Sequence, residues 1–147
     1  MHSSKLLRAF LCTASTCLLL VACARTPPEQ ALRRTIDEMH AAVESRDVSS
    51  LSDGIARDFI GPGGMDRTAA RRLAQLVFLR NQAIGMTIGP LDIAMHEGGA
   101  TVKFTAALTG GSGGLLPQSG QVYEVRTDWR RDGDDWELVA AEWTEKL

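Results

Sequence analysis

Near residue 84 the hydrophobic period of this 147-residue chain changes from that of a helix to that of a strand. Before the change, Leu32, Ile36, Met39 and Val43 recur at i, i+4, i+7 and i+11, which is one stripe of a helix over Glu29 to Glu44. After it, Ile84, Met86 and Ile88 alternate, Gly89-Pro90 interrupts, and Leu91, Ile93 and Met95 resume. The pattern predicts one long strand with a bend, because proline cannot donate to a ladder.

Two further helices are expected in the first half. A short one covers Val48 to Arg57, with Ser49 or Ser50 as its cap and Gly54 weakening it. Asp58-Phe59-Ile60 then forms a short extended piece, and Gly61-Pro62-Gly63-Gly64 a turn. Asp66 caps a third helix running to about Asn81, whose apolar positions, largely one face, are read as Leu73, Leu76, Val77 and Ile84. In the second half, Glu97-Gly98-Gly99 makes a tight turn. Val102, Phe104, Ala106 and Leu108 alternate with Thr101, Lys103 and Thr105. Beyond the glycine-rich stretch Gly110 to Gly120, Tyr123, Val125, Thr127 and Trp129 alternate with Glu124, Arg126, Asp128 and Arg130. A hairpin turn at Asp132-Gly133-Asp134-Asp135 leads into a last strand from Trp136 to Trp143.

Consecutive strands joined by turns build an antiparallel meander, and its apolar face must be covered by the helices. The predicted fold is α+β: three N-terminal helices packed on a curved antiparallel sheet. The opening amphipathic helix, the Asp47–Leu51 step, Asp58-Phe59 before a loop and the Arg130-Arg131-Asp132-Gly133-Asp134-Asp135-Trp136 hairpin resemble the nuclear transport factor 2-like superfamily, which includes ketosteroid isomerase and the polyketide cyclases. The likeness spans residues 29–147 and implies a cone whose sheet and helices enclose a pocket.

The first 22 residues read as an address. Lys5 and Arg8 precede an apolar run from Ala9 to Ala22 that is short for a membrane span, the pattern of a secretory signal. Leu20-Val21-Ala22-Cys23 resembles the lipobox of bacterial lipoproteins. The resemblance implies removal of residues 1–22, diacylation of Cys23 and a tether over 23–28 carrying Pro27-Pro28. It places the domain (29–147) in the cell envelope, lipid-anchored and facing the periplasm. Ala24, rather than Asp, after the cysteine resembles the sorting pattern that favours the outer membrane. Without Lys5 and Arg8 the net charge falls from −2 to −4, which argues against a nucleic-acid partner. Cys12, Cys17 and Cys23 are the cysteines of the chain, so the domain has no thiol nucleophile, disulfide or thiolate metal site.

Candidate chemistry is sparse. Asp58, beside apolar Phe59, and His40, beside Met39, are the candidate acid–base residues, and Asp92 is a further carboxylate to place. His96, ahead of a turn, reads as solvated. Met39, Phe59, Phe104, Tyr123 and Trp129 are the expected pocket lining, in keeping with aromatic walls for an apolar ligand. The single tyrosine and the acids do not match the ketosteroid isomerase set position by position, so no catalytic residue is carried over. Gly110 to Gly120 lacks the Lys-Ser/Thr of a phosphate loop, while Leu115-Leu116-Pro117 at its centre suits a contact with a partner or lipid. Asp132–Asp135 lacks calcium-loop spacing. No metal or cofactor is expected. The leading expectation is a non-enzymatic envelope lipoprotein that binds a small apolar ligand or a protein partner. The alternatives are an isomerase- or cyclase-like enzyme, and an assembly role or homodimer through the outer sheet face.

Overall fold

A computed structural model describes residues 26–111 and 119–146. The order of elements is α1 (Pro28–Glu44), α2 (Val48–Asp53), β1 (Ile55–Ile60), a 3-10 turn at Pro62–Gly64, α3 (Arg67–Arg80), β2 (Ala83–Ile88), β3 (Asp92–His96), β4 (Gly99–Gly111), β5 (Ser119–Asp132) and β6 (Asp135–Glu145). Among the described residues, all of these elements and the buried hydrophobic cluster lie between residues 28 and 145, so that residues 24–147 include every described element. Residues 1–25, with Cys23, and Leu115-Leu116-Pro117 lie outside the described residues.

Helix α1 begins with proline in its first turn, where no N–H is needed. The cap of α2 is Asp47, whose Oδ1 accepts from the backbone N–H groups of Ser49 and Ser50. The serines expected to cap this helix are thus the donors, and Gly54 ends it. Ile55–Arg57, expected as its last turn, belongs to β1. Asp66 caps α3 by accepting from the N–H of Ala69 at 2.7 Å.

The sheet order is β1-β6-β5-β4-β2, with β3 also paired to β4. Strands β2 and β3 are the two halves of the expected bent strand. Both run antiparallel along β4, and the register slips at Gly89-Pro90. The pure antiparallel meander needs one correction. Asp58-Phe59-Ile60 is the end of a full strand, and β1 pairs parallel with β6 through Ile55↔Leu138 and Ile60↔Ala140. The sheet is therefore mixed, with its first strand placed beside its last. The glycine-rich loop is also shorter than expected, since β4 runs to Gly111 and β5 starts at Ser119.

The core joins Leu32 and Ile36 of α1 to Ile55, Phe59, Ala100, Val102, Trp129, Trp136, Leu138 and Ala141 of the sheet. Trp129 Nε1 donates to Thr127 Oγ1 at 2.8 Å, and Thr127 Oγ1 donates to the carbonyl of Val102. Trp136 Nε1 is buried with no acceptor among the described residues. An indole buries roughly 150–250 Å², worth about 4–6 kcal/mol, which exceeds the roughly 1–3 kcal/mol cost of one unmade hydrogen bond. Gly99 is required for close approach, because a Cβ there would meet the carbonyl oxygen of Trp129 at 2.3 Å.

Helix α3 departs most from its sequence pattern. It packs on β1 and α2 through Ala70, Ala74 and Phe78, and Phe78 is its one buried residue. Leu73, Leu76 and Val77, expected as the core face, are exposed. Small alanines let the helix approach closely, and one Phe fills the contact that leucines were expected to make.

Candidate functional site

The sheet register orders the inner face into rows across β4, β5 and β6. Ala100, Trp129 and Leu138 form one row, and Val102, Thr127 and Ala141 the next; all six are buried. This end of the cone is solid. Phe59 and Trp129, expected to line a pocket, instead fill it, at 4% and 5% exposure.

Two residues further along, the face opens. Phe104, Val125 and Trp143 stand side by side; the first two are half-buried and Trp143 is 39% exposed. The following row is Ala106, Tyr123 and Glu145, with Gln121 beyond it opposite Leu108. There the polar groups link up. Tyr123 Oη donates to Gln121 Oε1 at 2.7 Å, and Gln121 Nε2 donates to Glu145 Oε1 at 3.2 Å. The result is an apolar floor of Phe104, Val125 and Trp143, rimmed on one side by a hydroxyl, an amide and a carboxylate. Such a site suits a molecule with an apolar body and one polar end. Met39 and Phe104 are half-buried and packed against the core edge.

The two acid–base candidates fall in different places. Asp58 sits on the outer face of the sheet, because alternation along β1 sends Phe59 inward and its neighbour outward. Both its oxygens accept from Arg130 at 2.9 Å, and Arg130 also donates to Glu137 at 3.0 Å. The hydrogen bonds from Arg130 hold the Asp58 carboxyl down at about 2. Asp58 therefore lies outside the cone, paired with Arg130, and not beside Phe59 in the interior where a pocket base was expected. Asp92 is likewise exposed, on the edge strand β3.

His40 stays on the helix side, half-buried. Its Nε2 donates to the carbonyl of Met86 at 2.7 Å, while Glu44 Oε1 accepts from the N–H of Met86 at 3.4 Å. Met86 lies on β2 at the open edge of the sheet. The two side chains of α1 thereby satisfy both backbone groups of an edge residue, a device that blocks further strand pairing. His40 is a structural clamp whose Nε2 proton is committed.

The outer face carries Glu124, Arg126, Asp128 and Arg130 with their partners. Glu124 accepts from Lys146 at 2.8 Å, which lowers its pKa, and Asp128 accepts from Thr101 at 2.6 Å and Arg126 at 3.2 Å. A shallow open concavity of about 470 Å³ lies over Lys103, Thr105, Glu124, Arg126, Glu142 and Thr144. Two of its charges are paired with residues beside it, Glu124 with Lys146 and Arg126 with Asp128. His96 is exposed at the end of β3, and no group of three or more metal-ligating side chains occurs among the described residues. Gln121, Glu145 and Trp143 had a signal in the sequence. Gln121 shares the parity of Tyr123 but precedes the expected strand, whereas in β6 a register shift moves the inward set from Trp136 and Leu138 to Ala141, Trp143 and Glu145, and Glu145 lies beyond the expected end at Trp143.

No protein-family model matches the sequence, and no curated protein matches it. Solved structures do. Bd1075 of Bdellovibrio bacteriovorus superposes with a TM-score of 0.71 at 15% identity over 80% of this chain, which spans 41% of that protein. A proposed dehydratase of the NTF2-like family from Streptomyces avermitilis gives 0.69 at 18% identity, covering 82% of this chain and 99% of that one. An NTF2-like protein of unknown function from Pseudomonas putida KT2440 gives 0.67 at 13% identity, covering 79% and 84%. The chain has the NTF2-like fold. At these identities the likeness concerns the fold alone, and function rests on the site.

Proposed function

We propose that this chain is a lipid-anchored binding protein of the bacterial envelope, whose inner sheet face takes a small molecule with an apolar body and one polar end. The observation that carries this reading is the partly exposed row Phe104, Val125 and Trp143 beside the Tyr123–Gln121–Glu145 rim. A non-catalytic role is supported by the position of Asp58 outside the cone and by the clamping of His40. The anchor is supported by the lipobox-like Leu20-Val21-Ala22-Cys23. It puts the domain at a membrane, the cell's largest store of molecules of that kind.

The test is native mass spectrometry of residues 24–147 purified from bacteria. A reproducible noncovalent adduct that leaves on denaturation is expected, lost in Trp143→Ala and weakened in Tyr123→Phe. In the full chain, Cys23→Ser abolishes palmitate incorporation and moves the protein out of the membrane fraction. The binding reading fails if no adduct forms and an apolar fluorescent probe binds the wild type and Trp143→Ala equally.

A further inference from the structure

Helix α3 holds four arginines, Arg67, Arg71, Arg72 and Arg80, and no acidic residue, in a chain whose net charge is −2. Arg67 Nη2 donates to the carbonyl of Ser52 at 2.7 Å. Arg71, Arg72 and Arg80 are exposed, and among the described residues none of them is paired with a carboxylate. The nearest acid in sequence, Asp66, is committed to capping the helix.

The same surface is apolar. Leu73, Leu76, Val77 and Leu79 are 41%, 50%, 40% and 82% exposed. At about 100° per residue, all four lie at least about 90° round the helix from Phe78, which points into the protein. Arg72 and Arg80 fall in the same outward half, between the leucines. An outward helix face that carries leucine and arginine and lacks acid combines the two attractions that hold a helix at a membrane interface, burial of apolar area and attraction to anionic lipid. There the leucines enter the acyl boundary and the guanidinium forks bind lipid phosphates.

We infer that α3 is a second membrane contact, which lays the domain on an anionic bilayer surface through Leu73, Leu76, Leu79, Arg72 and Arg80. Charge selects the occupant: Arg72 and Arg80, unpaired and with no acid on that face, favour an anionic lipid surface over another copy of this acidic chain. The inference draws on the lipid-anchored reading for access to a bilayer, but its test does not, because residues 24–147 lack Cys23.

That protein is sedimented with vesicles of phosphatidylcholine alone and with vesicles that also contain phosphatidylglycerol. Binding to the anionic vesicles is expected, with partition falling as salt rises. Removing two arginines near the surface, in Arg72→Gln/Arg80→Gln, lowers partition roughly thirtyfold. Leu76→Ser/Leu79→Ser abolishes binding while leaving the urea midpoint in place, since both side chains face solvent. Equal binding to both vesicle types, no binding, or retention of binding in both double variants overturns the inference. So does a concentration-dependent dimer that Leu76→Ser/Leu79→Ser dissolves, because the face would then be a self-interface. Loss of the ligand adduct alone leaves the vesicle result standing, and the reverse also holds.

Discussion

Replacing Leu32 by alanine tests how the helices meet the sheet. Leu32 is 0% exposed and, with Val102, is the largest fully buried side chain of the domain. The substitution removes three carbons, worth about 2.4 kcal/mol at about 0.8 kcal/mol each. The cavity left between α1 and the sheet adds to this, for a total of about 3–5 kcal/mol. A domain of this size has roughly 6–18 kcal/mol of stability in all, at about 0.05–0.15 kcal/mol per residue. The matched control is Leu79→Ala on α3, where the side chain is 82% exposed and the expected change is within about 0.5 kcal/mol. Urea unfolding followed by tryptophan fluorescence separates the two. With a slope of about 2 kcal/mol per molar, Leu32→Ala lowers the midpoint by about 2 M, and Leu79→Ala moves it by about 0.3 M or less. Equal shifts, or a larger shift for Leu79→Ala, would falsify the assignment of helix faces, and the membrane-facing surface of α3 with it.

Two other outcomes follow from the polar contacts. The hydrogen bonds from Arg130 depress the Asp58 pKa below the ordinary carboxylate value to about 2, so the ion pair contributes stability that is full above about pH 4 and is lost as pH falls towards 2. Asp58→Asn should therefore show a shallower loss of urea midpoint across that window than the wild type, and identical slopes would count against the pairing. Thr127→Val leaves Trp129 Nε1 buried without its acceptor, at a cost of about 1–3 kcal/mol and several degrees in melting temperature; Thr127→Ser retains the oxygen and should stay near wild type.

The sequence pattern reached some parts of this fold and not others, for physical reasons. The stripe of α1 was legible because leucine and isoleucine at helical spacing are buried there by the sheet, with Leu32 and Ile36 in the core. The hairpins were legible because glycine at positive φ marks Gly98 and Gly133. The parallel pairing of β1 was not, because its partner lies at the other end of the chain and six residues carry no trace of whom they pair with. Helix α3 misled, since leucine marks a buried face only when something covers it. The outward position of Asp58 could have been read from parity beside Phe59. The filling of the cone by Phe59 and Trp129 could not, because whether an aromatic ring lines a space or closes it depends on the separation of layers. At the candidate site, Tyr123 and Phe104 were named from alternation, whereas Gln121 and Glu145 came only with the true ends of β5 and β6.

The place of β6 has a consequence for how the molecule comes into being. Its eleven residues are the last strand in sequence order, yet they stand between β1 and β5 and pair with both. A chain delivered from its N-terminus makes β1 early and must keep it unpartnered until the last segment emerges. Until then two rows of backbone donors and acceptors remain open to the wrong neighbours. A domain without β6 is thus not a slightly smaller domain but one in which β1 and β5 are two raw edges.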